Sequence, residues 1–214
     1  MATGESRNYP DEVLRLIERM RAIPVIHEIL EQLSAKLPSN LRYHSAEHTM
    51  DVFSEAMYFA YTDQLSARDV ELLAVAAAFH DAGFLVRSDN NEPVGAEMAV
   101  AAMRKAGEYA PEEIELVRTM ILDTQLLQNG KGYSERPSSH LSRYLLDADL
   151  SNLGREDFMD KMSLLGQEFG VNGEKQMAES FQLLKNHCWL TPAGKSLREA
   201  QKASNVESLR RRMS

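Results

Sequence analysis

Three short segments of the chain carry histidines and acids at spacings that would let them meet at one ion. The first, Tyr43-His44-Ser45-Ala46-Glu47-His48, sets two imidazoles four residues apart, one turn or about 6 Å along a helix. Val52, Ala56 and Phe59 continue the His48 face at helical spacing and are apolar, so His48 is expected to point into the core. The second, Ala76-Ala77-Ala78-Phe79-His80-Asp81-Ala82-Gly83, places a His-Asp pair directly after the most apolar run of the chain. An imidazole and a carboxylate there are costly to desolvate unless they are paired or bound to a metal. Neighbouring side chains on a helix diverge by about 100°, so both reach one ion only near a helix end. Gly83 is expected to supply that end as a C-terminal cap. The third segment, Leu145-Leu146-Asp147-Ala148-Asp149-Leu150, puts two acids at the end of a short helix. Negative charge there opposes the helix dipole, so one of them is expected to face inward, and Asp149 has the less polar company.

Each segment alone has a plain structural reading: a core histidine, a capping aspartate, solvated acids. Together they offer imidazoles and carboxylates from separate buried helices, which is the chemistry of a metal centre. Mixed nitrogen and oxygen ligands suit Mn²⁺, Fe²⁺, Co²⁺, Ni²⁺ or Zn²⁺ better than Ca²⁺, and Mg²⁺ stays among the candidates. One divalent ion held by four residues keeps positions open for water and substrate, as a catalytic site requires.

A His, then a His-Asp pair at a buried helix end, then a distant Asp resembles the signature of the HD superfamily of metal-dependent phosphohydrolases. Here it would be His48, His80-Asp81 and Asp149, with the likeness running from about Tyr43 to Gly154. The resemblance implies an all-helical fold and hydrolysis of a phosphomonoester or phosphodiester, often in a nucleotide. It makes His48, His80, Asp81 and Asp149 the metal ligands. The Tyr43-His44 opening is similar to that of cyclic-nucleotide phosphodiesterases, which gives His44 the role of protonating the leaving oxygen. Asp81 or Asp149 would then orient or deprotonate the attacking water. Two-metal members carry further histidines between the His-Asp pair and the last Asp, whereas this chain has only His140 there, so a single ion is expected. Glu92 and Glu97, after the His-Asp helix, are candidate acid-base or substrate-contacting groups, although solvated glutamates are commoner. Arg87 and Lys131 are candidate phosphate contacts, although most such residues are simply exposed. Two other uses compete with hydrolysis. One is a non-catalytic sensory module that holds a metal and a nucleotide. The other is a di-iron oxygenase of the same superfamily, which needs more histidine ligands.

The elements that must position these residues are helices. Apolar residues recur at three and four, predicting helices from Pro10 to about Arg21, Pro24 to about Lys36, about Ser45 to Thr62, Val70 to about Asp81, about Pro93 to Ala106, Pro111 to about Asp123, Ser139 to about Asp149, Arg155 to Phe169, and Glu174 to about His187. Ser66 heads the fourth of these as a capping-box serine, with Asp69 in place of Glu. Thr191-Pro192 opens a last helix as cap and first position. Gln125 to Ser138, with Asn129-Gly130-Lys131-Gly132 and Pro137, reads as a loop, and no strand pattern stands out. The expected architecture is an all-α bundle around one core. Residues 1–40 would supply N-terminal helices packed on it, 41–154 the metal-binding core, and 155–214 helices completing the same domain. The last group has three uses open to it: covering the pocket, forming a homodimer face, or completing the core.

Charge and composition exclude several classes. A net charge of -8 and a pI near 5.3 argue against broad nucleic-acid binding, which needs a basic face. An acidic protein that handles a small phosphorylated substrate needs local positive charge, and a metal would supply it. A single cysteine, Cys188, rules out an internal disulfide and a cysteine-based zinc site. Its apolar neighbours predict a buried structural thiol. No signal-peptide pattern and no apolar run of spanning length is visible, so a cytoplasmic protein with no membrane contact is expected.

Overall fold

The computed structural model describes residues 9–125, 127–129, 132–134, 136–171 and 173–213. Among them the chain is helical, apart from one small hairpin. The elements are α1 (Asp11–Arg21), α2 (Pro24–Lys36), α3 (Ala46–Thr62), α4 (Ala67–Phe79), a 3₁₀ turn (Ala82–Leu85), α5 (Glu92–Ala106), α6 (Pro111–Asp123), strands β1 (Leu127–Asn129) and β2 (Gly132–Ser134), α7 (His140–Asp149), a second 3₁₀ turn (Ser151–Gly154), α8 (Phe158–Phe169), α9 (Gly173–Asn186) and α10 (Pro192–Met213).

Helix α4 is the axis of the bundle. Ser66 starts it by accepting the Asp69 N–H at 3.1 Å, while its own hydroxyl donates to the Asp69 carboxylate at 2.8 Å. Leu72 to Phe79 are all buried, with α2, α3, α5, α6 and α7 packed around them. A helix that is apolar on every side can be stable only in such a place. Its far end is where the His-Asp pair emerges.

Gly83 has a different task from the one expected. It does not adopt a left-handed cap; it lies inside the 3₁₀ turn that follows α4. A Cβ there would sit 2.0 Å from the carbonyl oxygen of Asn91, and one on Gly95 would sit 2.6 Å from that of Phe79. The two glycines let the start of α5 press against the end of α4, and that contact fixes the backbone carrying His80 and Asp81.

The segment read as a loop contains an antiparallel hairpin, with Leu127 opposite Ser134 and Asn129 opposite Gly132. Strands of three residues are too short to show an alternating pattern. The helix expected from Arg155 begins instead at Phe158. Arg155 stays extended, and its guanidinium reaches Asp51 at 3.2 Å and also pairs with Asp157. Cys188 is exposed, not buried, because its neighbour His187 takes the inward position, edge-on to Trp189 at 4.4 Å. Among the described residues no helix is long and apolar enough to cross a membrane.

The helices after Gly154 are fastened to the core by polar groups as much as by apolar ones. Leu150, Leu153, Phe158, Leu184 and Leu209 form a small second cluster. Glu55, fully buried in the middle of α3, accepts three hydrogen bonds from the Arg198 guanidinium of α10 at 2.7–2.9 Å and one from the Tyr9 hydroxyl at 2.8 Å. Removing one partner of a buried ion pair strands the other charge, at a cost of about 3–5 kcal/mol. Arg198→Ala is therefore expected to lose about that much in urea unfolding, and a loss under about 1 kcal/mol would show that Glu55 is solvated. His187 yields a second expectation. Burial, helped by the Lys202 ammonium, holds its pKa down at about 3 against an ordinary 6.5. The unfolded chain then binds the extra proton first, so stability present above pH 6.5 falls as pH drops toward 3. By linkage this amounts to about 2 kcal/mol at pH 5. His187→Phe should reduce the difference in stability between pH 7.5 and 5 by about that amount, and an unchanged difference would refute the assignment.

Candidate metal centre

The His-Asp pair meets because α4 stops between its members. His80 keeps helical backbone angles, while Asp81 turns out of the helix at φ −105°, ψ 8°. That turn removes the divergence of neighbouring helical side chains and leaves His80 Nε2 3.3 Å from Asp81 Oδ2. His80 Nδ1 lies 2.8 Å from the Ala77 carbonyl. A carbonyl only accepts, so Nδ1 carries a hydrogen, and Nε2 is the ring nitrogen turned to the acids.

His48 comes from the first turn of α3, which Ser45 caps by accepting the His48 N–H at 3.4 Å. Its ring lies under Tyr43, 4.6 Å between centroids. His48 Nε2 is 3.5 Å from Asp81 Oδ2 and 3.2 Å from Asp149 Oδ1. Asp149, the last residue of α7, also places Oδ1 3.7 Å from His80 Nε2. The structure thus brings the four expected ligands together. Ligands about 2.1 Å from one ion lie roughly 3.0–3.4 Å apart, close to the separations seen. His80 Nε2 and Asp81 Oδ2 are also buried without any hydrogen-bond partner, although buried polar atoms are nearly always satisfied. A divalent cation among them would satisfy both. Asp149 and His44, each with 19% of its side chain exposed, form the open side.

The electrostatics favour a cation. Burial disfavours charge on His80, but Asp81 and Asp149 outweigh it and raise its pKa to about 9. Burial likewise presses Asp81 upward, and the imidazoles of His80, His44 and His48 hold it well below the carboxylate range.

His44 does not join the ligands directly. It lies beside them, 5.8 Å from the His48 ring, stacked on Phe84 at 4.7 Å. Its Nδ1 is paired with Glu168 of α8. Burial would lower the His44 pKa, but the hydrogen bond to Glu168 and the surrounding carboxylates raise it. Glu168 itself is held low by His44 and by backbone N–H groups against the effect of burial.

The remaining candidates separate. Glu92, expected to be solvated, is half-buried. Its Oε2 is buried without a partner, and burial together with Asp81 and Asp149 raises its pKa. Glu97 is elsewhere: it is exposed, bonds Arg118 at 2.9 Å and lines a separate groove between α5 and α6. Arg87 is exposed and pairs with Asp89 at 3.0 Å, so the structure does not bring it to the ligands. Lys131 lies outside the described residues. His140 is exposed at the start of α7, nine residues or about 13 Å of helix away from Asp149. Asp147, two residues before Asp149, also faces inward but in another direction. It accepts from the backbone of Leu190 and Thr191, both at 2.9 Å, and from the Thr191 hydroxyl at 2.6 Å. Both acids of that segment are therefore inward, one toward the centre and one holding the start of α10.

Two residues of the site escaped the sequence reading. Phe84 stands three residues after Asp81 in a segment with no motif of its own. Glu168 lies 124 residues from His44, yet it carried a signal: an acid in the last turn of a helix opposes the dipole, the same anomaly that marked Asp149. The sequence matches no protein-family model and no curated protein. Metal binding is testable on stability. An ion present at 100 times its Kd should stabilise the wild type by about 2.7 kcal/mol. Asp81→Ala and His48→Ala should abolish the gain in thermal unfolding with and without chelator, and equal gains in all three proteins would place any ion elsewhere.

Proposed function

We propose that the protein is a metal-dependent phosphohydrolase of the HD superfamily, acting on a phosphate ester with a flat leaving group, such as a nucleotide. The observation that carries this reading is the convergence of His48, His80, Asp81 and Asp149, with two buried ligand atoms lacking any hydrogen bond. A divalent ion held by His48, His80, Asp81 and Asp149 would supply Lewis-acid chemistry and would lower the pKa of water at the site. Asp149, the more exposed of the two carboxylates, accepts a proton from the attacking water. Glu92, with one oxygen buried, helps to orient that water. His44, its pKa raised by the hydrogen bond to Glu168 against the effect of burial, gives its proton to the leaving oxygen as the phosphorus–oxygen bond breaks.

The leaving-group side supports an aromatic substrate. Phe84 stacks on His44 there, and Phe169, 63% exposed, packs its edge 6.1 Å from the same ring. An exposed phenylalanine beside a polar centre offers a stacking surface for a nucleobase. A sensory module would share the pocket but has no use for an acid held on the leaving side. The oxygenase reading needs a second set of ligands, and among the described residues the only cluster of three or more such groups includes His48, His80 and Asp81.

The test is phosphate release from a panel of nucleotides and simple phosphoesters, with Mn²⁺, Mg²⁺, Co²⁺, Ni²⁺, Zn²⁺ or Fe²⁺ added to metal-stripped protein. Turnover is expected to require the metal, to vanish in Asp81→Ala, and to fall about 10²–10⁴-fold in His44→Ala. Folded, metal-binding protein that turns over nothing would favour the sensor, and oxygen uptake with iron would favour the oxygenase.

A further inference from the structure

We infer that Glu168, on the helix beyond the motif-bearing part of the chain, is a positioning residue that orients His44 as the proton donor. The inference rests on the hydrolase reading above. Glu168 Oε2 accepts the backbone N–H groups of Tyr43 at 2.8 Å and His44 at 3.1 Å, and Oε1 pairs with His44 Nδ1. One carboxylate therefore grips both the backbone and the ring of the same residue.

The donor inventory explains why a carboxylate is needed. An ionised carboxylate only accepts, so each contact obliges the partner to donate. Nδ1 must carry a hydrogen, and the proton given to the leaving group comes from Nε2, the ring nitrogen on the side away from Glu168. As the bond from phosphorus to the attacking oxygen forms and that to the leaving oxygen breaks, the Nε2 proton goes to the leaving oxygen. His44 is left neutral with Nδ1–H still held by Glu168. The proton lost by water goes to Asp149 and from there to solvent, and His44 is recharged from solvent. A glutamine at 168 has one accepting and one donating end. If its oxygen keeps the two backbone N–H groups, its NH₂ faces Nδ1, which must then accept, and the tautomer of the ring is reversed.

Helix α8 has a second tether close by: Lys161 Nζ lies 2.9 Å from Asp51 of α3, the helix that follows His44. The two tethers separate anchoring of the helix from orientation of the ring. Glu168 could matter merely by keeping α8 in place, and Lys161→Met would then do the same damage.

The experiment compares two esters, a nucleoside monophosphate, whose leaving alkoxide needs a proton, and p-nitrophenyl phosphate, whose leaving group departs without one. Glu168→Gln is expected to slow the first by about 10²-fold, within the range a positioned acid contributes. The second should slow by tenfold less or better, with metal affinity retained. Lys161→Met should leave the ratio of the two rates as in the wild type. Equal slowing of both esters by Glu168→Gln, or the same selective loss in Lys161→Met, would overturn the positioning role. The ¹⁵N signals of the histidine rings test the contact without turnover: wild type should show a protonated Nδ1 on His44, and Glu168→Gln should change that tautomer. Wild-type protein inactive on both esters would sink the hydrolase reading while the ring spectrum still reported the contact. An unaltered ring spectrum in the variant would overturn the inference alone.

Discussion

Ionisable groups at the end of a buried apolar helix are the constraint on which this structure turns. Taking a charge out of water costs several kcal/mol unless partners wait for it, and α4 delivers His80 and Asp81 into such a place. The neighbouring elements are arranged around that cost. The 3₁₀ turn swings Asp81 back toward His80, Gly83 and Gly95 let α5 close over the turn, and α3 and α7 bring His48 and Asp149 to meet the pair. Two atoms of the cluster, His80 Nε2 and Asp81 Oδ2, still lack a hydrogen-bond partner.

The same logic, an acid meeting donors from a distant element, fastens the C-terminal helices. Glu55 takes Arg198, Asp147 takes Leu190 and Thr191 just before α10, and Glu168 takes Tyr43 and His44. Gly194 belongs to the second of these contacts, since a Cβ there would lie 2.4 Å from Asp147 Oδ2. These contacts join residues 43 to 143 positions apart, and each would be a liability if the elements were not held in register. The C-terminal helices are thus coupled to the centre through polar contacts that tolerate little slack.

Aromatic rings complete the local design. Tyr43 covers His48, Phe84 covers His44, and Phe169 extends the apolar surface to solvent. The rings leave one polar opening, at Asp149 and His44, next to a surface suited to a flat organic group.

The helices were legible from the chain alone because amphipathic periodicity and capping are local: Ser66, Pro24, Pro111 and Thr191 mark starts that the structure keeps. The four ligands were legible for a related reason. Imidazoles and carboxylates at apolar helix ends contradict burial unless something gathers them, and that contradiction is visible in sequence. The rest depended on directions that local sequence does not encode. The exposed position of Cys188, the partial burial of Glu92, the removal of Glu97 to another face and the two destinations of Asp147 and Asp149 follow from how helices rotate against each other. The close approach at Gly83, expected as a cap, needed the position of Asn91 in space. Glu168 reaches His44 across 124 residues, and only the packed bundle decides which distant acid meets which ring, because long-range contacts are set by the joint fit of all the faces and not by any one of them.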